Sequence, residues 1–533
     1  MTSQLSYYIA EAEATFHDWS VGDLLAAAVR ATPQRVALIS APHPGEIERQ
    51  WTYEELHAQA QRTASSLLAR FRPGDRVATW AGNSAEIIFL QLGAALAHVI
   101  LVTVNPANRA QEIHYQLEQS QARGLFLERQ YRGLDNQAVI ENLRARLPAL
   151  AHVFYLDEWT RFVNVGSASA LPDVPGSAPA MIMYTSGTTG KPKGVVERHR
   201  GLVNNARLTN ERMQIRPGST WLTTVPLFHI GGNTTMVLGC IANHGTNVLL
   251  REFNPEVALE SIERYRVSFT FMVPTMFYAM LHSERLDTVS LSSMELVMTG
   301  ATTIPPDLVR QLKRRFHVDV IAAFGQTEAG GCMYVTHRHD GEERITGSVG
   351  VALPLSESKI VSIRTGEVLP RGEVGEICTR TRCCMIEYFQ MPDKSAQAID
   401  QEGWLHTGDL GIMRADGYVQ VTGRLKDMII RGGENIYPRE IEDVLAEHEA
   451  IAQAAVFGIP DAKWGEQVAA AVILRQGKSA EECVLIEYLQ ARIARHKVPK
   501  FWFFVDGLPT NASGKIQKFA LREAYANAGG QSV

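Results

Sequence analysis

Tyr184-Thr185-Ser186-Gly187-Thr188-Thr189-Gly190-Lys191-Pro192-Lys193-Gly194-Val195 is the stretch on which the reading of this chain turns. The apolar run Ala180–Met183 before it predicts the end of a buried strand, after which the chain becomes hydroxyls, glycines and lysines. Glycine lets the backbone curl close to a ligand, successive N–H groups form an anion nest, and hydroxyl and ammonium groups bind phosphate oxygens. The stretch is not a Walker A loop, which needs Ser or Thr after Gly-Lys. Here Gly190-Lys191 is followed by Pro192, which removes a donor. The residues predict a nucleotide-phosphate loop of another type.

At 533 residues the chain is too long for one small core, so at least two domains are expected. Hydrophobic content of 45% and charged content of 20% are ordinary for a globular protein. A net charge of -5 argues against nucleic acid or an anionic membrane as the main partner. Six cysteines, with Cys383 beside Cys384 and no repeated Cys-x-x-Cys, fit neither a disulfide framework nor a zinc site, and read as reduced thiols of a cytoplasmic protein. The N-terminus lacks the basic start and apolar run of a signal peptide, and the longest apolar stretch, Leu92–Val104, is broken by His98 and too short to span a bilayer.

Short β-type runs alternate with helical patterns through the first two-thirds of the chain. Residues 99–104, 246–250, 268–272 and 296–298 are candidate strands, with amphipathic stretches at 85–97 and 255–265 between them. That alternation predicts an α/β architecture with much parallel sheet. A smaller unit is expected to begin near Lys426, with a helix over 438–446, strands over 454–458 and 468–474, and a helix over 481–495.

Five further segments combine glycine with groups that bind anions, diols or rings: Pro226-Leu227-Phe228-His229-Ile230-Gly231-Gly232; Thr299-Gly300-Ala301-Thr302-Thr303; Ala322-Ala323-Phe324-Gly325-Gln326-Thr327-Glu328; Gly403-Trp404-Leu405-His406-Thr407-Gly408-Asp409; and Pro509-Thr510-Asn511-Ala512-Ser513-Gly514-Lys515-Ile516. With residues 184–195, and in this order over nearly the whole chain, they resemble the motifs of the adenylate-forming superfamily. That superfamily comprises acyl-CoA synthetases, firefly luciferase and the adenylation domains of nonribosomal peptide synthetases. The resemblance implies a large N-terminal domain of α/β layers with mostly parallel sheets, residues 1–425, and a small mobile α+β lid, residues 426–533. It also implies ATP, Mg2+ and CoA as ligands, and a carboxylic acid as substrate.

The resemblance implies roles residue by residue, and elementary chemistry suits them. Thr185, Ser186, Gly187, Thr188, Thr189, Gly190 and Lys193 would hold the ATP phosphates. His229 would line and gate the carboxylate pocket, and need not be a base because the acid is already ionised at neutral pH. Gly300, Ala301, Ala323 and Phe324 would border the adenine; Phe324 stands where Tyr is more usual, which keeps a flat stacking ring. Thr327 would donate to the α-phosphate and Glu328 would give Mg2+ a hard oxygen. Asp409 would accept hydrogen bonds from both ribose hydroxyls, and Arg424 would supply a planar cation for ribose or phosphate. Lys426 would be the hinge, Gly432 and Gly433 would line a channel for the pantetheine thiol, and Lys515 would grip the carboxylate and α-phosphate during adenylation.

The mechanism so implied is attack of a carboxylate on the α-phosphorus of ATP, loss of pyrophosphate, then transfer of the acyl group to CoA. Loading of an acyl carrier protein is the alternative, and a luciferase-like oxygenase would share the first half-reaction. A non-catalytic nucleotide-binding module would predict losses at Glu328, Asp409 or Lys515, and all three are present. Candidate acid-pocket positions are His229, Met236, Met272, Thr299, Gly300, Gln326, Gly330 and Gly331; the small residues after Glu328 read equally as room for a bulky acid or as a turn that needs glycine.

Overall fold

The computed structural model describes residues 4–11, 13–40, 47–164, 170–185, 191–432, 434–510 and 516–526. Two sheets carry the parallel pairing that the alternating pattern predicts. The first has seven strands in the order Glu387–Tyr388, Lys193–Arg198, Pro179–Thr185, Ile100–Val104, Arg76–Trp80, Gly124–Leu127 and His152–Tyr155. Pairing is parallel from Pro179–Thr185 to the His152–Tyr155 edge and antiparallel at the other edge. The second has nine strands, with six parallel strands at its centre: Asp319–Gln326, Leu296–Gly300, Phe269–Phe271, Thr220–Thr223, Thr246–Leu249 and Val36–Ser40.

Local sequence explains these elements. A parallel strand covered on both faces needs a continuous apolar run, and Ile100–Val104 is buried at all five positions. The helix Ala85–Leu96 behind it is buried almost all round, and Ser84 Oγ caps it by accepting the Ile87 N–H at 3.4 Å. Pro255–Tyr265 starts where expected because Asn254 caps it and Pro255 has no N–H to lose.

A third sheet was not foreseen. Tyr7–Ile9, Ser356–Val361, Gly375–Thr381, Leu405–Met413 and Val419–Arg424 pair antiparallel throughout. Antiparallel strands need no helical crossover, so the pairs Ser356–Val361 with Gly375–Thr381 and Leu405–Met413 with Val419–Arg424 leave no alternating helix–strand signature.

Every strand after Val419–Arg424 belongs to one separate sheet: Ile429–Arg431, Glu434–Ile436, Ile451–Asp461, Gly465–Leu474 and Phe501–Phe504. Its apolar clusters, centred on Ile429, Ile441, Leu445, Val456, Val468 and Leu489 on one side and on Phe457, Ala469 and Leu521 on the other, draw only on residues from 429 onward. The helix Pro438–Ala446 has the expected bounds. The next helix is shorter than expected, Glu482–Gln490, because the chain turns after it to pack Ile493 and Val498 against the same core. No helix among the described residues is long and apolar enough to cross a membrane, and all six cysteines are free.

Candidate active site

The site forms where the two mostly parallel sheets and the antiparallel sheet meet at strand ends. Pro179–Thr185 pairs antiparallel with Lys193–Arg198, and Thr185 stands opposite Lys193. The glycine-rich stretch is thus the connection of a hairpin; Ser186, Gly187, Thr188, Thr189 and Gly190 lie outside the described residues. The flanking residues are placed. Thr185 Oγ1 donates to Glu328 Oε1 at 3.3 Å, and the Tyr388 hydroxyl donates to the same oxygen at 2.8 Å. Lys193 Nζ lies 3.8 Å from the centre of the Tyr388 ring. Burial pulls the Lys193 ammonium below the usual lysine range and the Glu328 charge opposes it. Burial, and then Glu328, raise the Tyr388 phenol, which stays protonated as a donor.

These residues fit a magnesium ion. Among the described residues the hydrogen bonds to the Glu328 side chain go to Oε1, which leaves Oε2 for a cation, beside a hydroxyl and the phosphate-loop strand. One carboxylate plus substrate phosphates is a donor set that suits Mg2+.

Glu328 follows the strand Asp319–Gln326 in a short 3₁₀ turn, Thr327–Ala329, with Thr327 buried. Gly300 pairs with Ala323 on the neighbouring strand, and Ala301 holds a left-handed φ of 65°, a conformation that costs a non-glycine residue energy and clusters at functional sites. The half-buried Phe324 ring packs against Tyr334 at 6.1 Å. Gly330 and Gly331 have φ of 76° and 135°, and a Cβ on Gly331 would meet Asn205 Oδ1 at 2.5 Å. The turn itself therefore requires glycine there.

Asp409 is 2% exposed and lies opposite Arg424 on the next strand, with Arg424 Nε 3.0 Å from its Oδ1. Gln326 Nε2 donates to Asp409 Oδ2, and to the Thr407 carbonyl at 3.0 Å. Lys426 sits in the turn Leu425–Asp427, between the last antiparallel strand and the C-terminal sheet. The Gly432 N–H donates to the Trp464 carbonyl at 2.7 Å; Gly433 and Lys515 lie outside the described residues.

His229 is exposed, and its Nδ1 accepts the Gly231 N–H at 3.3 Å. Thr103 anchors its turn by donating to the Phe228 carbonyl at 2.9 Å, and Thr103 pairs with Met183 of the phosphate-loop strand. The turn runs into a π-helix, Gly231–Leu238, a geometry frequent at functional sites. Of the other candidate acid-pocket positions, Met236, Met272 and Thr299 have no exposed surface. Gln326 turns to Asp409 instead.

The structure thus brings Thr185, Lys193, Thr327 and Glu328 into one cluster and Gln326, Asp409 and Arg424 into another, two residues away along one segment. Sequence reasoning missed Tyr388 and the Gln326–Asp409 contact. Tyr388 gives no local signal, because it reaches Glu328 only through the pairing of its strand with Val195. It also missed Glu197, wholly buried on the strand after Lys193, with neither carboxylate oxygen hydrogen-bonded among the described residues.

Comparison with known proteins is consistent over the whole length. Residues 25–389 match the family described as AMP-binding enzyme, and residues 440–515 match the AMP-binding enzyme C-terminal domain. YngI of Bacillus subtilis, which its name assigns to the acyl-CoA synthetases, is 36% identical over 95% of this chain and 96% of that protein. The human mitochondrial medium-chain acyl-CoA ligase ACSF2 is 31% identical over 97% of this chain and 89% of that protein. Among solved structures, ATP-bound MatB from Rhodopseudomonas palustris superposes with a TM-score of 0.87 at 28% identity, covering 96% of this chain and 100% of that one. The o-succinylbenzoate-CoA synthetase MenE of Bacillus subtilis, in complex with its acyl-adenylate, gives 0.83 at 30% identity, covering 95% and 98%.

Proposed function

The chain belongs to the AMP-binding enzyme family, and we propose that it is an AMP-forming acid–CoA ligase working through residues of the site just described. The observation that carries this reading is the segment Phe324–Glu328. At Glu328 it meets Thr185, 143 residues away, and at Gln326 it meets Asp409, 83 residues away. One five-residue segment thereby links Thr185, at the entry to the proposed phosphate loop, with the proposed cation ligand and the proposed ribose acceptor.

In the first step a carboxylate oxygen of the acid attacks the α-phosphorus, the Pα–O bond to the β-phosphate breaks, and pyrophosphate leaves. Both reactants are anions, so the task is preorganised electrostatics rather than proton transfer. Glu328 would hold the Mg2+ of Mg-ATP, which supplies neutralising charge at the phosphates. Lys193, residues 185–190 and Thr327 bind the phosphate oxygens, Phe324 backs the adenine, with Gly300, Ala301 and Ala323 at its border, and Asp409 with Arg424 holds the ribose. His229 borders the acid.

In the second step the CoA sulfur attacks the acyl carbon and AMP leaves with the electron pair of the C–O bond. Residues 426–533 act as a lid that pivots at Lys426. The pivot withdraws Lys515 and brings Gly432 and Gly433 to the pantetheine. Support for this division is that no described strand or core cluster after residue 428 is shared with the first 424 residues.

The test is pyrophosphate release across a panel of carboxylic acids, with and without CoA, with nucleotide products separated. AMP and an acyl thioester are expected. ADP and phosphate would sink the reading. Acyl-AMP that persists with CoA but is consumed by a phosphopantetheinylated carrier protein would replace CoA as the acceptor.

A further inference from the structure

Asp409 occupies a bulge whose supports have no role so far. Glu376 pairs with Leu410 and Cys378 with His406 across two antiparallel strands. One residue, Ile377, lies between the partners on the first strand; three, Thr407, Gly408 and Asp409, lie between them on the second. The excess residues bulge outward and carry Asp409 with them. Gly408 takes the φ of 68° that the bulge requires.

Side chains pin this bulge from behind. Glu376 Oε1 accepts the Gly408 N–H at 3.0 Å, and Oε2 lies 2.8 Å from His406 Nδ1. His406 Nε2 is 3.5 Å from Asp400 Oδ2. Thr407 Oγ1 donates to the Ile377 carbonyl at 2.7 Å and accepts the Asp409 N–H at 3.0 Å.

We propose that Glu376 and His406 form a positioning pair that aims the Asp409 carboxylate at the ribose diol of ATP. The proposal rests on the ribose reading of Asp409. Glu376 fixes the turn through the Gly408 N–H. His406 is needed because the half-buried Glu376 carboxylate must be paired with a cation. The effect on binding comes through geometry: a bidentate acceptor displaced by about 1 Å loses much of its advantage.

Cys378 Sγ is 3.5 Å from the same His406 nitrogen, so Glu376, Cys378 and His406 are also donors of a kind that a divalent cation such as zinc accepts. In the structure the Nδ1–Oε2 contact already satisfies both atoms, and the pair needs no ion.

The experiment is calorimetric binding of Mg-ATP and of its 2′,3′-dideoxy analogue to the full chain. Wild type should prefer ATP by at least roughly 10–10²-fold, since each charge-assisted hydrogen bond to the diol contributes about that much. Glu376→Gln and His406→Ala should each cut that preference about tenfold while dideoxy-ATP binding changes little; His406→Ala, which leaves the Glu376 carboxylate without its cation, should also lower Tm. His406→Lys should restore part of it. A wild-type preference in both first variants overturns the proposal, even if overall affinity falls, because a merely structural pair would weaken both nucleotides alike. Loss of the preference in metal-stripped protein, regained only with stoichiometric Zn2+ in excess Mg2+, also overturns it in favour of a metal centre. Asp409→Ala is the control: if that variant keeps the preference, the ribose reading itself has failed.

Discussion

Asp409 and Arg424 face each other across neighbouring strands and meet at 3.0 Å, so the proposed ribose acceptor is held by a cation two residues before the proposed pivot at Lys426. Asp409→Ala removes a charged acceptor from a buried position and should raise KM for ATP by roughly 10–10²-fold with the fold intact. Arg424→Ala should raise it less and also slow the second step, because the strand it anchors leads into the pivot. Unchanged ATP saturation in Asp409→Ala would refute the ribose assignment.

Glu197 should be a stability liability. Burial, and then the Glu328 charge, push its carboxyl well above the usual range, with Arg198 opposing. A carboxyl raised in the fold favours folding below its unfolded value, and that advantage is lost as pH rises. Glu197→Leu should therefore stabilise by about 1–3 kcal/mol, the cost of an unsatisfied buried polar group. The gain in Tm should be larger at pH 7 than at pH 4. Loss of pyrophosphate release in a more stable variant would show that Glu197 also serves Glu328.

Lys426→Pro should separate the half-reactions. Proline fixes φ near −65°, which holds a two-state pivot close to one state. Acyl-AMP formation should continue while thioester formation slows at least tenfold, as read in single-turnover experiments. Equal slowing of both steps would place the pivot elsewhere.

Lys515→Ala should lower adenylation by at least roughly 10²–10³-fold, the usual result of removing one preorganised donor from a developing oxyanion. Thioester formation from chemically supplied acyl-AMP should survive. Loss of both steps along with thermal stability would make Lys515 a structural residue.

Much of this was legible along the chain because the chemistry sits in contiguous segments. Thr185, Lys193, Thr327, Glu328 and Asp409 stand out as polar groups in short segments rich in glycine and hydroxyls, a pattern that reports itself within ten residues. The parallel sheets were legible for the same reason, since helix–strand alternation is periodic. The antiparallel strands between residues 356 and 424 were not, as they mix polar and apolar residues and do not alternate regularly with helices. Tyr388, Glu197 and Glu376 were silent, each an ordinary residue type in ordinary local company, while Gln326 was expected in the acid pocket and meets Asp409 instead.

The sequence by itself determined the order of motifs and the kinds of group available to bind phosphate, ribose and cation, because these follow from residue type and close spacing. Tertiary structure alone decided which groups meet. Strand register puts Tyr388 against Glu328 and Arg424 against Asp409, a bulge of the Leu405–Met413 strand sets Asp409 beside Gln326, and close packing turns the glycines after Glu328 from a possible pocket into a required turn. Hydrogen bonds and ion pairs act over about 3 Å, and only the pairing of strands distant in sequence can bring such groups that close.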